Sequence, residues 1–389
     1  MRRDDIDRLL DTMLKVHEEV SDINITVGRP FQVEIQGRLI GVDALPIQSL
    51  TPFQTEVFAL NLLGSNPRLI RTLLETGSCD FSYQLGVKAR FRVNVFSQHG
   101  SYSIVMRRLP TSIPTLEQLG LPKIFHRISE ERDGLILVTG ATGSGKSTTL
   151  AALLDRINRT RAVHVITLED PIEFLHSHQE ATFNQRELGT DFDSFAHGLR
   201  AALRQAPKVI LVGEIRDGET MEIALRAAET GHLVLSTLHT IDAGATIGRI
   251  IGMVEIESQQ LFRMRLTETI RWVVSQRLLP KEGGGRVAAM EIMGSNLRIR
   301  ELILHGETED RTFYGVISEN VPFGMQTFDQ AILDIYRQRI ILEEVARNYC
   351  TNRSIVGREI DRIKQERGEE TSEIKDLEMD YQSSWQKKG

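Results

Sequence analysis

Ile6, Leu9, Leu10, Met13 and Leu14 recur at helical spacing and predict an amphipathic helix at the N-terminus. The period then changes. Residues 24–27 read as a short strand stopped by Gly28 and Pro30, and residues 31–35 alternate apolar and polar before Gly37, as a hairpin would. A helical stretch covers residues 52–76, and two strands come next at 90–96 and 102–106, with Gly100 in the turn between them. Pro110, Pro114 and Pro122 then break regular structure and mark a linker. Beyond it, strand candidates at 135–139, 163–168, 209–212 and 233–237 alternate with helical segments, the pattern of a parallel sheet covered by helices. The chain therefore reads as α/β: an α+β domain over 1–105, a linker at 106–122, an α/β domain over 123–300, a helical part over 301–360 and a charged tail at 361–389. The tail carries 14 charged side chains in 29 residues and reads as a solvated end or a helix extension.

Composition narrows the class. An apolar fraction of 41% in 389 residues supports a real core and excludes a disordered chain. The formal charge of −6 gives no sign of a nucleic-acid partner. Cys79 and Cys350 are too few for a zinc site or a disulfide framework and are expected as free thiols. The opening MRRDDIDRLL lacks the apolar core of a signal peptide, and no apolar run reaches the ~18 residues of a membrane span. A cytoplasmic protein is expected, one that still works against a membrane through a partner.

The strongest local signal is the run Gly140, Ala141, Thr142, Gly143, Ser144, Gly145, Lys146, Ser147, which fits GxxxxGK[ST] at every fixed position. A buried strand precedes it and a helix beginning near Thr148 comes after it, the context that such a loop needs. Glycines let the loop wrap with its N–H groups inward, and the helix N-terminus adds partial positive charge. Lys146 is expected to reach the β- and γ-phosphates of ATP, and the Ser147 hydroxyl to ligate Mg²⁺.

Hydrolysis needs carboxylates beside that site. Two strand ends supply them, Glu169 with Asp170 and then Glu214, because parallel sheets collect ligands at the carboxyl ends of their strands. Glu214 is the candidate Mg²⁺-side acid; Glu169 is the candidate that orients or deprotonates water, with Asp170 as its substitute. His239 lies past a third strand end, where a neutral imidazole can donate to a phosphate. His232 stands at the start of that strand, where a structural role is equally open. Arg90, Arg92 and Asn94 alternate with Phe91, Val93 and Val95, so one strand face is basic. Either that face makes internal salt bridges, or it supplies an arginine finger that reaches a phosphate held by another domain or subunit.

With these motifs the chain resembles the secretion-ATPase superfamily, and within it the type IV pilus retraction ATPases of the PilT/PilU type. GATGSGKST at 140–148, TLEDPIEF at 167–174, ILVGEIRD at 210–217, TGHLVLSTLHT at 230–240, RFRVNVF at 90–96 and SDINITVGRP at 21–30 carry the resemblance, which covers residues 1–360. It implies a PAS-like N-terminal domain, a RecA-like ATPase core and a homohexameric ring with ATP between the domains. By position it assigns Arg92 and Arg107 as arginine fingers, Glu169 as general base, and Arg200 and Arg204 as further arginines near the nucleotide or a subunit contact. Arg90 and His232 join the nucleotide-binding candidates on the same grounds. The implied partners are an inner-membrane pilus platform protein and, for a PilU-like member, a paralogous retraction ATPase. The implied location is the cytoplasmic face of the bacterial inner membrane. The tetracysteine module of the pilus-assembly branch has no counterpart among two cysteines, which favours the retraction branch. RQAPKV at 204–209 is similar to PilU-like members, and NLRIREL at 296–302 fits a retraction motif in part. The competing readings are a secretion or DNA-transfer ATPase of the same superfamily, a P-loop kinase for a small metabolite, and a nucleotide-sensing subunit without turnover.

Overall fold

A computed structural model describes residues 2–43, 45, 47, 49–86 and 88–369. The part of the charged tail beyond residue 369 lies outside them. The chain builds two sheets. The first contains β1 (Val20–Ile25), β2 (Gln32–Ile35), β3 (Arg38–Gly41), β4 (Ser78–Leu85), β5 (Ala89–Gln98) and β6 (Ser101–Leu109) in the order β3-β2-β1-β6-β5-β4. Every pairing in it is antiparallel. The second contains β7 (Gly134–Thr139), β8 (His164–Glu169), β9 (Thr182–Glu187), β10 (Val209–Val212), β11 (Leu233–Leu238), β12 (Ile270–Pro280) and β13 (Arg286–Gly294) in the order β13-β12-β7-β11-β10-β8-β9. Only the edge strand β13 runs antiparallel to its neighbour.

Alternation explains the first sheet. In β4 and β5 the odd-numbered Cys79, Phe81, Tyr83, Leu85, Phe91, Val93 and Val95 turn inward and pack with Ile6, Leu10, Met13 and Phe58 from the helices. The expected strand at 24–27 instead begins at Val20 and ends at Ile25, because its ladder to β6 runs from Asp22↔Arg107 to Ile25↔Ile104. The expected helix over 52–76 is two helices, Pro52–Leu63 and Pro67–Thr76. Gly64 at φ 61° ends the first, and the Asn66 side chain caps the second. β6 continues past residue 106 to Leu109, since Arg107, Arg108 and Leu109 stay paired with Arg92, Phe91 and Arg90. The prolines take over only after that.

The second sheet is buried on both faces, so its strands read as continuous apolar runs. All six residues of β7 are buried, as are all four of β10 and all six of β11. The helix Lys146–Thr160 covers one face with Leu150, Leu153, Leu154 and Ile157, while the helices Phe195–Ala202, Gly218–Glu229 and Ala243–Ile251 cover the other. Helices Phe328–Arg337, Glu343–Tyr349 and Arg353–Glu366 form a further cluster that packs onto Leu279 of β12 and Ala289 of β13. No helix among the described residues is long and apolar enough to cross a membrane.

Leu137 sits in mid β7 with no exposed surface. Leu137→Ala is expected to cost about 2–5 kcal/mol of stability, read as a lower denaturant midpoint with an unchanged slope.

Candidate functional site

The loop after β7 wraps back over the start of its helix. Gly140 and Gly145 have φ of 142° and 90°, and a Cβ there would stand 2.5 Å from the Gln276 carbonyl oxygen and 2.8 Å from Gln276 Nε2, respectively. Glycine is required at both positions. Gln276 on β12 explains the closeness. Its Nε2 donates to the Ser144 carbonyl at 2.7 Å, and its Oε1 accepts from Thr149 Oγ1 at 2.8 Å, so one buried amide holds both loop and helix. Lys146 Nζ donates to the carbonyls of Gly140 (2.9 Å) and Ala141 (3.1 Å). Burial lowers its pKa, while Glu214 and Glu173 oppose that shift. Ser144 lies beneath the loop, its hydroxyl buried without a hydrogen-bond partner.

A cavity of about 630 Å³ opens above this loop, between the two sheets. Thr142, Gly143, Gly145, Lys146, Ser147 and Thr148 line its floor. Glu169 and Asp170 enter from the end of β8, Glu214 from beyond β10, and His239 from beyond β11. Arg92 reaches it from β5 of the other sheet. Most of the residues singled out from the sequence therefore share one space.

The carboxylates differ in setting. Glu169 accepts from Thr167 Oγ1 at 2.6 Å and from Gln185 Nε2 at 3.1 Å. Burial nevertheless pushes its pKa up to about 7. Burial also raises that of Asp170, against the pull of Arg216 and Arg92. Glu214 pairs with Arg216 and lies 3.5 Å from His239 Nε2. A carboxylate poised near neutrality beside a fixed acid–cation pair is the pattern that separates a proton acceptor from an electrostatic ligand.

Five candidates stand elsewhere. Arg90 is buried and does not line the cavity; its guanidinium donates to the Ile172 carbonyl, Ser82 Oγ and Glu187. Arg107 pairs with Asp22 at 2.9 Å, on the β1 side of its strand and clear of the cavity. Arg204 is exposed beyond the end of the helix Phe195–Ala202, and Arg200 pairs with Glu219. His232 precedes β11, at the edge of the sheet opposite the cavity; its Nδ1 lies 3.0 Å from the Ala227 carbonyl, where it finishes a helix end. The sequence reading missed Gln276, Gln185 and Arg216. A polar Ser275-Gln276 pair inside the apolar run of β12 was the one available signal, since polar groups in a buried strand need partners.

Among the described residues no three His, Cys, Asp or Glu side chains converge as a metal-binding cluster. Mg²⁺ beside phosphates takes only one or two protein ligands, and Ser147 and Glu214 line the same cavity, which fits that demand.

The model of the type II/IV secretion system proteins matches residues 72–373. The chain belongs to that family. The type IV pilus retraction ATPase PilT of Pseudomonas aeruginosa is 41% identical over 343 residues, covering 88% of this chain and 97% of PilT. The type IV pilus ATPase PilU of the same organism is 39% identical, covering 86% of each chain. A crystal structure of the pilus retraction motor PilT with bound ADP superposes with a TM-score of 0.81 at 40% identity, over 91% of this chain and 99% of that one. The mixed α/β architecture with its helical C-terminal part is thus the family's fold.

Gln276→Ala removes the amide's tie to the phosphate loop and its tie to the helix behind it without touching the cavity. It is expected to weaken nucleotide binding about tenfold, measured by titration calorimetry with ADP, while the melting temperature drops by only a few degrees.

Proposed function

We propose that this protein is an ATP-hydrolysing motor that drives type IV pilus retraction. It works as a homohexamer on a pilus platform protein at the cytoplasmic face of the inner membrane. The single observation that carries the reading is the convergence of the phosphate loop, Glu169, Glu214, His239 and the second sheet's partner Arg92 on one cavity. The retraction assignment is supported by the family and by the PilT and PilU likenesses. We read the antiparallel sheet as a PAS-like domain that runs through Leu109 rather than ending at 105, the residues after it up to 122 as linker, the parallel sheet as a RecA-like core (123–300), and the helices that follow as a helical part that extends past 360 to Glu366.

In this reading the loop amides, with Lys146, take the β- and γ-phosphates of ATP. Ser147 and Glu214 would hold Mg²⁺, whose charge neutralises phosphate oxygens. Glu169 accepts a proton from water as its oxygen bonds to γ-phosphorus and the bond to the β–γ bridging oxygen breaks, releasing ADP and phosphate. Arg92 neutralises charge on the phosphoryl group, and His239 couples the Glu214 side of the site to the chain beyond β11. Arg107 acts only in a more closed arrangement or from a neighbouring subunit, where its exposed guanidinium would have to leave the buried Asp22 carboxylate. The near-equal likeness to PilU supports a second reading, an accessory motor that needs a paralogue.

Glu169→Gln is expected to bind ATP with unchanged affinity and lose turnover by at least about 100-fold, while Lys146→Ala loses binding. Normal turnover in Glu169→Gln would overturn the assignment of the base. Because Glu169 must be ionised to accept a proton, kcat is expected to rise with pH and level off above about 7. Deleting the gene should leave excess surface pili without twitching; absent pili would overturn retraction, and a phenotype seen only alongside loss of a paralogue would select the accessory reading.

A further inference from the structure

Arg90 and Glu187 are fully inside the protein, 8% and 5% exposed, yet come from different sheets. Glu187 ends β9 and sits in register beside Glu169 of β8. Its carboxylate accepts from the Ser82 N–H at 2.9 Å, from Ser82 Oγ, from Arg90 at 3.1 Å and from the Ile172 N–H at 3.2 Å. Arg90 in turn donates to the Ile172 carbonyl at 2.7 Å and to Ser82 Oγ at 2.8 Å. Both peptide groups of Ile172 are thereby gripped, two residues after Asp170 and three after Glu169. Arg68, through the Thr190 carbonyl and Asp193, adds only an exposed contact nearby. None of its three side chains lines the cavity.

We propose that Arg90, Glu187 and Ser82 form a positioning clamp that sets the 169–172 turn, and with it the Glu169 carboxylate, only while the antiparallel sheet is docked on the parallel one. The clamp makes proton abstraction conditional on docking. An undocked sheet takes Arg90 and Ser82 away from Glu187 and frees the Ile172 carbonyl, leaving the turn held only by its own sheet through Glu187 and Gln185 of β9. The inference rests on the reading of Glu169 as the base. It separates Arg90 from its strand neighbour Arg92, two residues away on the same face: one grips the turn, the other meets the nucleotide.

The charge of the clamp also reaches Glu169. Arg90 holds the Glu169 pKa down, and Glu173 in its own turn holds it up. The other charged or titratable groups around the same cavity are Asp170 and His176 from the same segment, Arg92 from β5, Lys146 from the loop helix, Glu214 and Arg216 beyond β10, His239 beyond β11, and Arg286 at the start of β13. Removing the Arg90 charge leaves Glu169 harder to ionise.

The test is the steady-state ATPase rate of the full-length protein from pH 5 to 9, with melting temperatures for each variant. Arg90→Gln is expected to lower the plateau kcat about tenfold, leave KM for ATP within about twofold, and move the acid limb up by about 1 pH unit. Glu187→Gln should lower the plateau with KM unchanged, Arg90→Lys should leave the limb in place with a reduced plateau, and the double variant of Arg90→Gln with Glu187→Gln should be no worse than the worse single one. Ser82→Ala, a half-buried hydroxyl, retains the fold and should lower kcat about threefold with KM unchanged; it keeps the test open if Arg90→Gln does not fold. A raised KM with the plateau kept would make Arg90 a nucleotide ligand, and lowered plateaus with no limb moved would make the ring purely structural; either overturns the proposal. If Glu169→Gln still turns over, the base assignment fails. If that variant is dead while Arg90→Gln keeps the wild-type limb, the clamp alone fails.

Discussion

The parallel hydrogen-bond ladder of the seven-stranded sheet is the constraint on which the rest depends. β12, β7, β11, β10, β8 and β9 all run the same way, so their carboxyl ends share one edge. Each strand delivers its succeeding turn to the same place: β7 the glycine loop, β8 the Glu169 turn, β10 Glu214 and β11 His239. These turns are far apart in sequence. The central strands β7, β10 and β11 have no polar outer face because helices cover both sides, and that burial makes the edge rigid enough to hold a fixed geometry.

Around that edge the polar groups are braced individually. Ser236 and Thr237 donate to the carbonyls of Val212 and Gly213, stitching β11 to the start of the Glu214 turn. Thr139 meets Ser275, and Gln276 holds the loop. Gln185 donates to both Glu169 and the Phe174 carbonyl, so β9 supports the acidic turn from outside. The site is thus a set of short turns, each tied to its neighbour by a buried hydroxyl or amide.

Much of this was legible in the sequence, for a physical reason. The phosphate loop has fixed spacing because glycine, lysine and a hydroxyl-bearing serine or threonine each meet a specific demand there. Apolar runs marked β7, β8, β10 and β11 because those strands are buried on both faces. The strands β4, β9, β12 and β13 were missed: β9 is a mixed polar stretch, and the others carry polar residues whose partners are distant. Gln276 and Gln185 were invisible because an amide's local sequence does not say which far atom it will meet. Arg90 and Arg92 were read together because alternation puts them on one face. The difference between them lies in the groups that the other sheet places opposite, and that is settled only on folding.

β12 belongs to two assemblies at once. Its Gln276 fixes the phosphate loop, Arg277 lies 3.8 Å over the Phe328 ring and donates to the Tyr349 carbonyl, and Leu279 packs among the C-terminal helices. Residues 276, 277 and 279 are separated by less than one helical turn of chain, with alternate side chains on opposite sides of a stiff strand. A β-strand is stiff along its axis, so the C-terminal helices and the loop after β7 bear on one short rigid segment. Those helices are, in mechanical terms, fastened to one end of a beam whose other end holds the phosphate loop.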